Sequence, residues 1–192
     1  MNVLIIYAHP NPRSFNRAIL EVVDTTLRAR GYATRIHDLY AMDYRATLDG
    51  EDLIRNWRGD LAADIRSEHE ALLWASKLVF IYPIWWFGPP AILKGWIDRV
   101  FSRTFAFDFG PDGMIGLLKH EKALILNTLG GDEATYQHAR WHELLARPMV
   151  EGILGACGIR QVVYRAFYQV PTVSDVERQA MLAEIRALVT AF

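Results

Sequence analysis

The chain has 192 residues, 52% of them hydrophobic and 22% charged, with a formal net charge of −1. That balance supplies enough apolar mass for a core and excludes a disordered chain, while the scattered charges leave no basic footprint for nucleic acid or an anionic membrane. The lone cysteine, Cys157, excludes an intramolecular disulfide framework and a cysteine-rich metal site, and it fits a reducing, cytoplasmic compartment.

Residues 1–192 read as one domain by length. Val3 to Ala8 is a continuous apolar, β-branched run closed by His9-Pro10-Asn11-Pro12, as expected of a strand covered on both faces. It has neither the basic flank nor the cleavage site of a signal peptide. Ser14 then caps a helix over Asn16 to Arg30, with Ile19, Val22, Val23 and Leu27 at helical spacing and Gly31 as its stop. Thr34 to Leu39 predicts a second strand, Ala62 to Ala75 a helix and Lys77 to Tyr82 a third, buried strand. Leu78 to Ile97 is long and apolar enough to suggest a bilayer span of about 20 residues. Pro83, Gly88, Pro89, Pro90 and Lys94 interrupt it, so it divides into strand, loop and helix.

The helix continues over Ala91 to Phe101, an irregular piece runs from Ser102 to Lys119, and Ala123 to Leu129 is a strand ending at Gly130-Gly131. Helix His142 to Leu154, strand Gln161 to Phe167 and helix Val176 to Val189 complete the chain, the last opened by a capping box at Ser174 and Glu177. This alternation predicts an α/β fold with a parallel sheet, helices on both faces and a ligand at the carboxyl ends of the strands.

Three loops at those ends hold the unusual residues. His9, Arg13, Ser14, Phe15 and Asn16 stand where a helix start can receive an anion, although a capped turn with a solvated histidine explains the same residues. Pro83-Ile84-Trp85-Trp86-Phe87-Gly88 sets three aromatics in a proline-bounded loop, suited to a planar ring or to plain packing. Thr128-Leu129-Gly130-Gly131 lets a ligand approach the backbone or simply ends a strand. Tyr136 and His142 add a phenol and an imidazole. His138, Trp141 and His142 have no carboxylate or cysteine partner at metal-ligand spacing, so no metal site is expected, and Cys157 reads as a small buried hydrophobe.

Taken in order, His9 with Ser14-Phe15-Asn16, the run from Pro83 through Trp86-Phe87-Gly88 and Pro90-Ala91-Ile92-Leu93-Lys94-Gly95-Trp96 to Phe101, and Thr128-x-Gly130-Gly131 resemble the NAD(P)H:quinone oxidoreductase family of flavodoxin-like flavoproteins. The resemblance implies a flavodoxin-like three-layer sandwich with a five-stranded parallel sheet in the order 2-1-3-4-5. It also implies two-electron, ping-pong transfer from NAD(P)H through a flavin to a quinone. His9, Arg13, Ser14, Phe15 and Asn16 would hold the phosphate region, Pro83, Ile84, Trp85, Trp86 and Phe87 would line the flavin ring, and Thr128, Leu129, Gly130 and Gly131 would meet its other edge. Tyr136 and His142, six residues apart, would stabilise negative charge on the reduced ring. Arg178 falls near a pyrophosphate-facing arginine and, with Ser14-Phe15-Asn16, favours FAD over FMN. Trp85 and Leu129 replace residues that are more often polar, so the hydrogen bonding at the ring edge is expected to differ. A cytoplasmic homodimer is implied. The alternatives are a flavin-binding ancillary subunit of a membrane potassium-efflux transporter, or a one-electron carrier, against which the neutral surface and the Tyr136 and His142 pair weigh.

Overall fold

The apolar runs near the start and middle of the chain become neighbouring strands. In the computed structural model, which describes residues 1–192, β1 (Asn2–Tyr7) lies between β2 (Ala33–Asp38) and β3 (Lys77–Pro83), and β6 (Lys122–Thr128) and β7 (Val162–Phe167) extend the sheet beyond β3. All pairings are parallel, and the order β2-β1-β3-β6-β7 is the expected 2-1-3-4-5 of a flavodoxin-like α/β fold. Strand residues alternate between two apolar layers, as a pleat with helices on both sides requires. Val3, Ile5, Val79 and Leu124 pack on α1 (Phe15–Ala29) and α7 (Asp175–Thr190), whereas Leu4, Phe80 and Ile125 pack toward α3 (Ala63–Trp74) and α4 (Ala91–Val100).

Local chemistry accounts for the helix ends. The Ser14 side chain accepts from Arg17 N–H at the start of α1, Gly31 follows its end at φ +82°, and the capping box of Ser174 and Glu177 opens α7. Gly95 is required by close approach: a Cβ there would lie 1.8 Å from the Ala46 carbonyl oxygen, so the loop before α2 (Gly50–Arg58) rests directly on α4.

Three expectations need correction. The piece expected to be irregular, residues 102–119, contains an antiparallel hairpin of β4 (Phe107–Gly110) and β5 (Gly113–Gly116). Two helices, α2 and the short α5 (Glu133–His138), stand in stretches read as loop. The helix expected over 142–154 is two pieces, α6 (Trp141–Arg147) and a π-helical segment (Pro148–Gly155), because Pro148 has no N–H to donate to the turn before it.

Candidate active site

Strand register assembles the site. Tyr7 pairs with Ile81 and Pro83 with Thr128, so the loops after β1, β3 and β6 leave the sheet side by side. Ile84 N–H donates to the Thr128 carbonyl at 2.8 Å and fixes the second loop to the third.

The first loop is a preformed turn. Asn11 accepts from Ser14 N–H through its carbonyl (3.1 Å) and from Arg13 N–H through Oδ1 (2.9 Å), which turns the chain directly into α1. The leading N–H groups of that helix, at Phe15 and Asn16, have no acceptor within the helix and carry its positive dipole end. His9 Nδ1 accepts from Asn11 N–H at 3.0 Å, and burial holds the imidazole below its ordinary range, leaving a neutral ring with Nε2–H free to donate. Asn16 is 2% exposed; its Nδ2 donates to Thr128 Oγ1 at 2.7 Å, while its Oδ1 is buried without a partner. Arg178 stands across the same cleft, its Nη1 donating to the Val173 and Val170 carbonyls at 2.8 and 3.2 Å. The cleft holds about 620 Å³, and Arg13, Ser14, Pro83, Leu129 and Gly130 also line it.

The second loop closes on itself. Trp85 and Gly88 exchange N–H to carbonyl bonds of 3.0 and 3.1 Å around Trp86 and Phe87, whose φ angles are +48° and +63°. Two positive φ angles inside such a loop make a type I′ turn, a geometry that normally selects asparagine and glycine. Trp86 is 96% exposed, and the Trp85 ring lies 6.2 Å from that of His9. Phe87 points the other way, onto Tyr136 and Trp141, with ring centroids 6.0 and 5.4 Å away. One edge of the Tyr136 ring lies against Gly131, where a Cβ would come within 2.5 Å of Cε2.

Most residues singled out from sequence thus meet at one end of the sheet. His142 stands apart: it is exposed on the first turn of α6 and makes no hydrogen bond, whereas its neighbour Trp141 packs edge-on against Tyr136, 5.7 Å between centroids. In the sequence Trp141 stood out only as a neighbour of His138 and His142, and nothing there announced its packing on Phe87 and Tyr136. Cys157 is buried and its thiol is pushed up to about 11 by burial, so it is unreactive.

The donor set fits a flavin nucleotide. The open helix N-terminus and Arg13 suit a phosphate, the unpartnered Asn16 Oδ1 offers an acceptor for a hydroxyl, and the aromatic turn with the Gly130-Gly131 backbone suits a flat ring. A larger cleft of about 930 Å³ lies between α2, the end of α4 and the π-helical segment. It is mainly apolar and receives no helix N-terminus, so the smaller cleft is the better nucleotide site despite its size.

A family model described as flavodoxin-like fold matches residues 1–189. The chain is 36% identical over 183 residues to the uncharacterized NAD(P)H oxidoreductase of Haemophilus influenzae, covering 95% of this chain and 91% of that protein. It is 31% identical over 201 residues to the human ribosyldihydronicotinamide dehydrogenase [quinone], covering 94% and 87%. Among solved structures, the NAD(P)H:quinone oxidoreductase of Methanothermobacter marburgensis superposes with a TM-score of 0.91 at 30% identity, over 99% of this chain and 98% of that one.

Proposed function

The chain belongs to the flavodoxin-like fold family, and from that premise we propose that it is a flavin-dependent NAD(P)H:quinone oxidoreductase transferring electrons in pairs. Its similarity to proteins named NAD(P)H oxidoreductase and quinone oxidoreductase supports the reaction class. The observation that carries the reading to this chain is the buried, unpartnered Asn16 Oδ1, in the first turn of α1 beside Thr128, in the cleft that Arg13, Pro83, Gly130 and Arg178 also line. A buried acceptor is costly unless a ligand satisfies it.

The bound flavin would supply the capacity to take up and release a hydride. The chain's part is placement and electrostatics. His9 Nε2–H, Arg13 and the first N–H groups of α1 would hold the phosphate region, and Arg178, which lines the same cleft, adds a second cation that favours the dinucleotide FAD over FMN. Pro83, Ile84, Trp85, Trp86 and Phe87 form the ring wall, and Thr128 to Gly131 meet the opposite edge. Tyr136, beside Gly131, would offer its hydroxyl as a donor to negative charge on the ring. No helix of the protein is long and apolar enough to cross a membrane. A homodimer is supported by the apolar side chains on α2 and the β4–β5 hairpin, where Trp57 is 87% exposed and Phe109 61%.

The test is titration of apoprotein with FMN and FAD, followed by steady-state oxidation of NADH and NADPH with a quinone. Micromolar binding with a preference for FAD is the expected result, and no binding of either nucleotide would sink the reading. Arg13→Ala should weaken binding by about tenfold, the loss of one hydrogen bond to a charged group, while leaving the fold intact because Arg13 is exposed. An unchanged affinity would place the phosphate elsewhere. Tyr136→Phe should slow flavin reduction by about tenfold, equivalent to roughly 1.4 kcal/mol, in stopped flow with unchanged flavin content. A rate within about twofold of the parent would remove the hydroxyl from the reaction.

A further inference from the structure

We infer that Tyr7, a core residue at the end of β1, is a positioning residue that makes Ser14 an obligate hydrogen-bond donor and so fits this end of the cleft to a phosphate group. The inference rests on the flavin reading above and concerns what directs the hydroxyl of Ser14, which lines the cleft. A hydroxyl has one hydrogen to give and two lone pairs with which to accept. Both lone pairs of Ser14 Oγ are engaged. One accepts from Arg17 N–H at 3.2 Å, as the cap of α1. The other faces the Tyr7 hydroxyl, 3.3 Å away.

The direction of this second bond follows from burial. Tyr7 packs in the apolar layer under α1, it is 1% exposed, and Ser14 is the one hydrogen-bond partner of its phenol. Were Ser14 the donor, the phenol hydrogen would be left buried without an acceptor, so Tyr7 donates. Burial also raises the phenol above its ordinary range, which keeps that hydrogen in place at neutral pH. Ser14 is left with its own hydrogen, which meets no acceptor in the protein. A phosphate oxygen, which only accepts, suits it, whereas a sugar hydroxyl seeking to donate finds no free lone pair there. The neighbouring polar groups are committed elsewhere. Arg17 is paired with Glu21 at 3.0 Å, and Asn16 turns its amide nitrogen to Thr128. At 3.3 Å the Tyr7 bond is long for two hydroxyls, so its part is direction and not strength.

The experiment titrates apoprotein with FMN and with riboflavin, which has the same ring and polyol but no phosphate. It compares the parent with Tyr7→Phe, Tyr7→Leu, Ser14→Ala and Tyr7→Phe combined with Ser14→Ala. Tyr7→Phe keeps the ring and loses the hydroxyl. It should weaken FMN binding by about fivefold, the effect of one misdirected hydrogen bond to a charged group, while riboflavin binds within about twofold of the parent. Tyr7→Leu disturbs packing and shifts both ligands, yet it should lower the preference for FMN in the same proportion. In the Ser14→Ala background Tyr7→Phe should change nothing further, since it acts through that hydroxyl. If the parent binds neither FMN nor riboflavin, this inference falls together with the reading beneath it. If flavin binds but both Tyr7 variants keep the parent's ratio of FMN to riboflavin affinity, or the double variant loses more of that ratio than Ser14→Ala alone, the inference by itself is overturned.

Discussion

Arg99→Met should cost about 3–5 kcal/mol of folding stability, the range for removing one partner of a buried ion pair. Arg99 is fully buried, with Nε donating to Asp52 Oδ2 at 2.8 Å and Nη1 to the Arg45 carbonyl at 2.9 Å and to Tyr44 Oη at 3.1 Å. Asp52 is the buried residue of α2, a helix whose apolar Leu53, Ile54 and Trp57 instead face outward. The helix is therefore held to α4 by charge rather than by apolar packing, and methionine would leave a buried carboxylate held only by the half-exposed Arg45. Nη1 also bonds Asp64, which is 42% exposed and which the same hydrogen bond holds below the ordinary carboxylate range.

The pH dependence has a definite sign. Burial pushes the Asp52 carboxyl up, but hydrogen bonds from Arg99 and Arg45 outweigh burial and hold it below the ordinary carboxylate range. A depressed value in the folded state means that the stabilisation is present above the unfolded value of about 3.9 and is lost as pH falls through the folded one. In Arg99→Met the Asp52 value rises, so loss on acidification begins at higher pH. Urea denaturation of both proteins near neutrality and at about pH 4 measures this. A difference below about 1 kcal/mol near neutrality would mean that α2 is anchored by something else.

That inverted helix also shows why part of the fold was illegible in the sequence. The three central strands, β1, β3 and β6, could be read because each is a continuous apolar run covered on both faces, whereas the less buried edge strands β2 and β7 were legible from their place in the alternation. Gly50–Arg58 could not, since its apolar residues point away from the core and a core-facing stripe is what periodicity detects. Its local signals were present nonetheless: the Asp49 side chain caps Asp52 N–H, and Gly59 ends the helix at φ +73°. The β4–β5 hairpin escaped because its strands have four residues each and little burial. At the site, the candidate loops could be picked out from their place at the strand ends, but their packing could not: the positive φ at Arg140 sets the Trp141 ring against Tyr136, which no spacing announces.

The aromatic turn gives the sharpest separation between stability and function. Trp86→Asn combined with Phe87→Gly installs the residues a type I′ turn prefers, between the same Trp85 and Gly88 bonds. Each present side chain costs roughly 1–2 kcal/mol in the left-handed region. Trp86, at 96% exposure, returns none of this through burial in the protomer, and Phe87 returns part through Tyr136 and Trp141. The double variant should therefore be at least as stable as the parent. Flavin affinity should nevertheless fall by about a hundredfold, because two aromatic contacts worth roughly 0.5–1.5 kcal/mol each disappear together. Strain kept at a turn whose side chains do not repay it within the fold is what a ligand-binding wall requires. Thermal unfolding and flavin titration of the double variant and of Trp86→Asn alone separate the contributions, since the single change relieves strain without touching the Phe87 contacts. Loss of stability with unchanged flavin affinity would show that the two rings serve packing, and the ring wall would have to be sought elsewhere in the cleft.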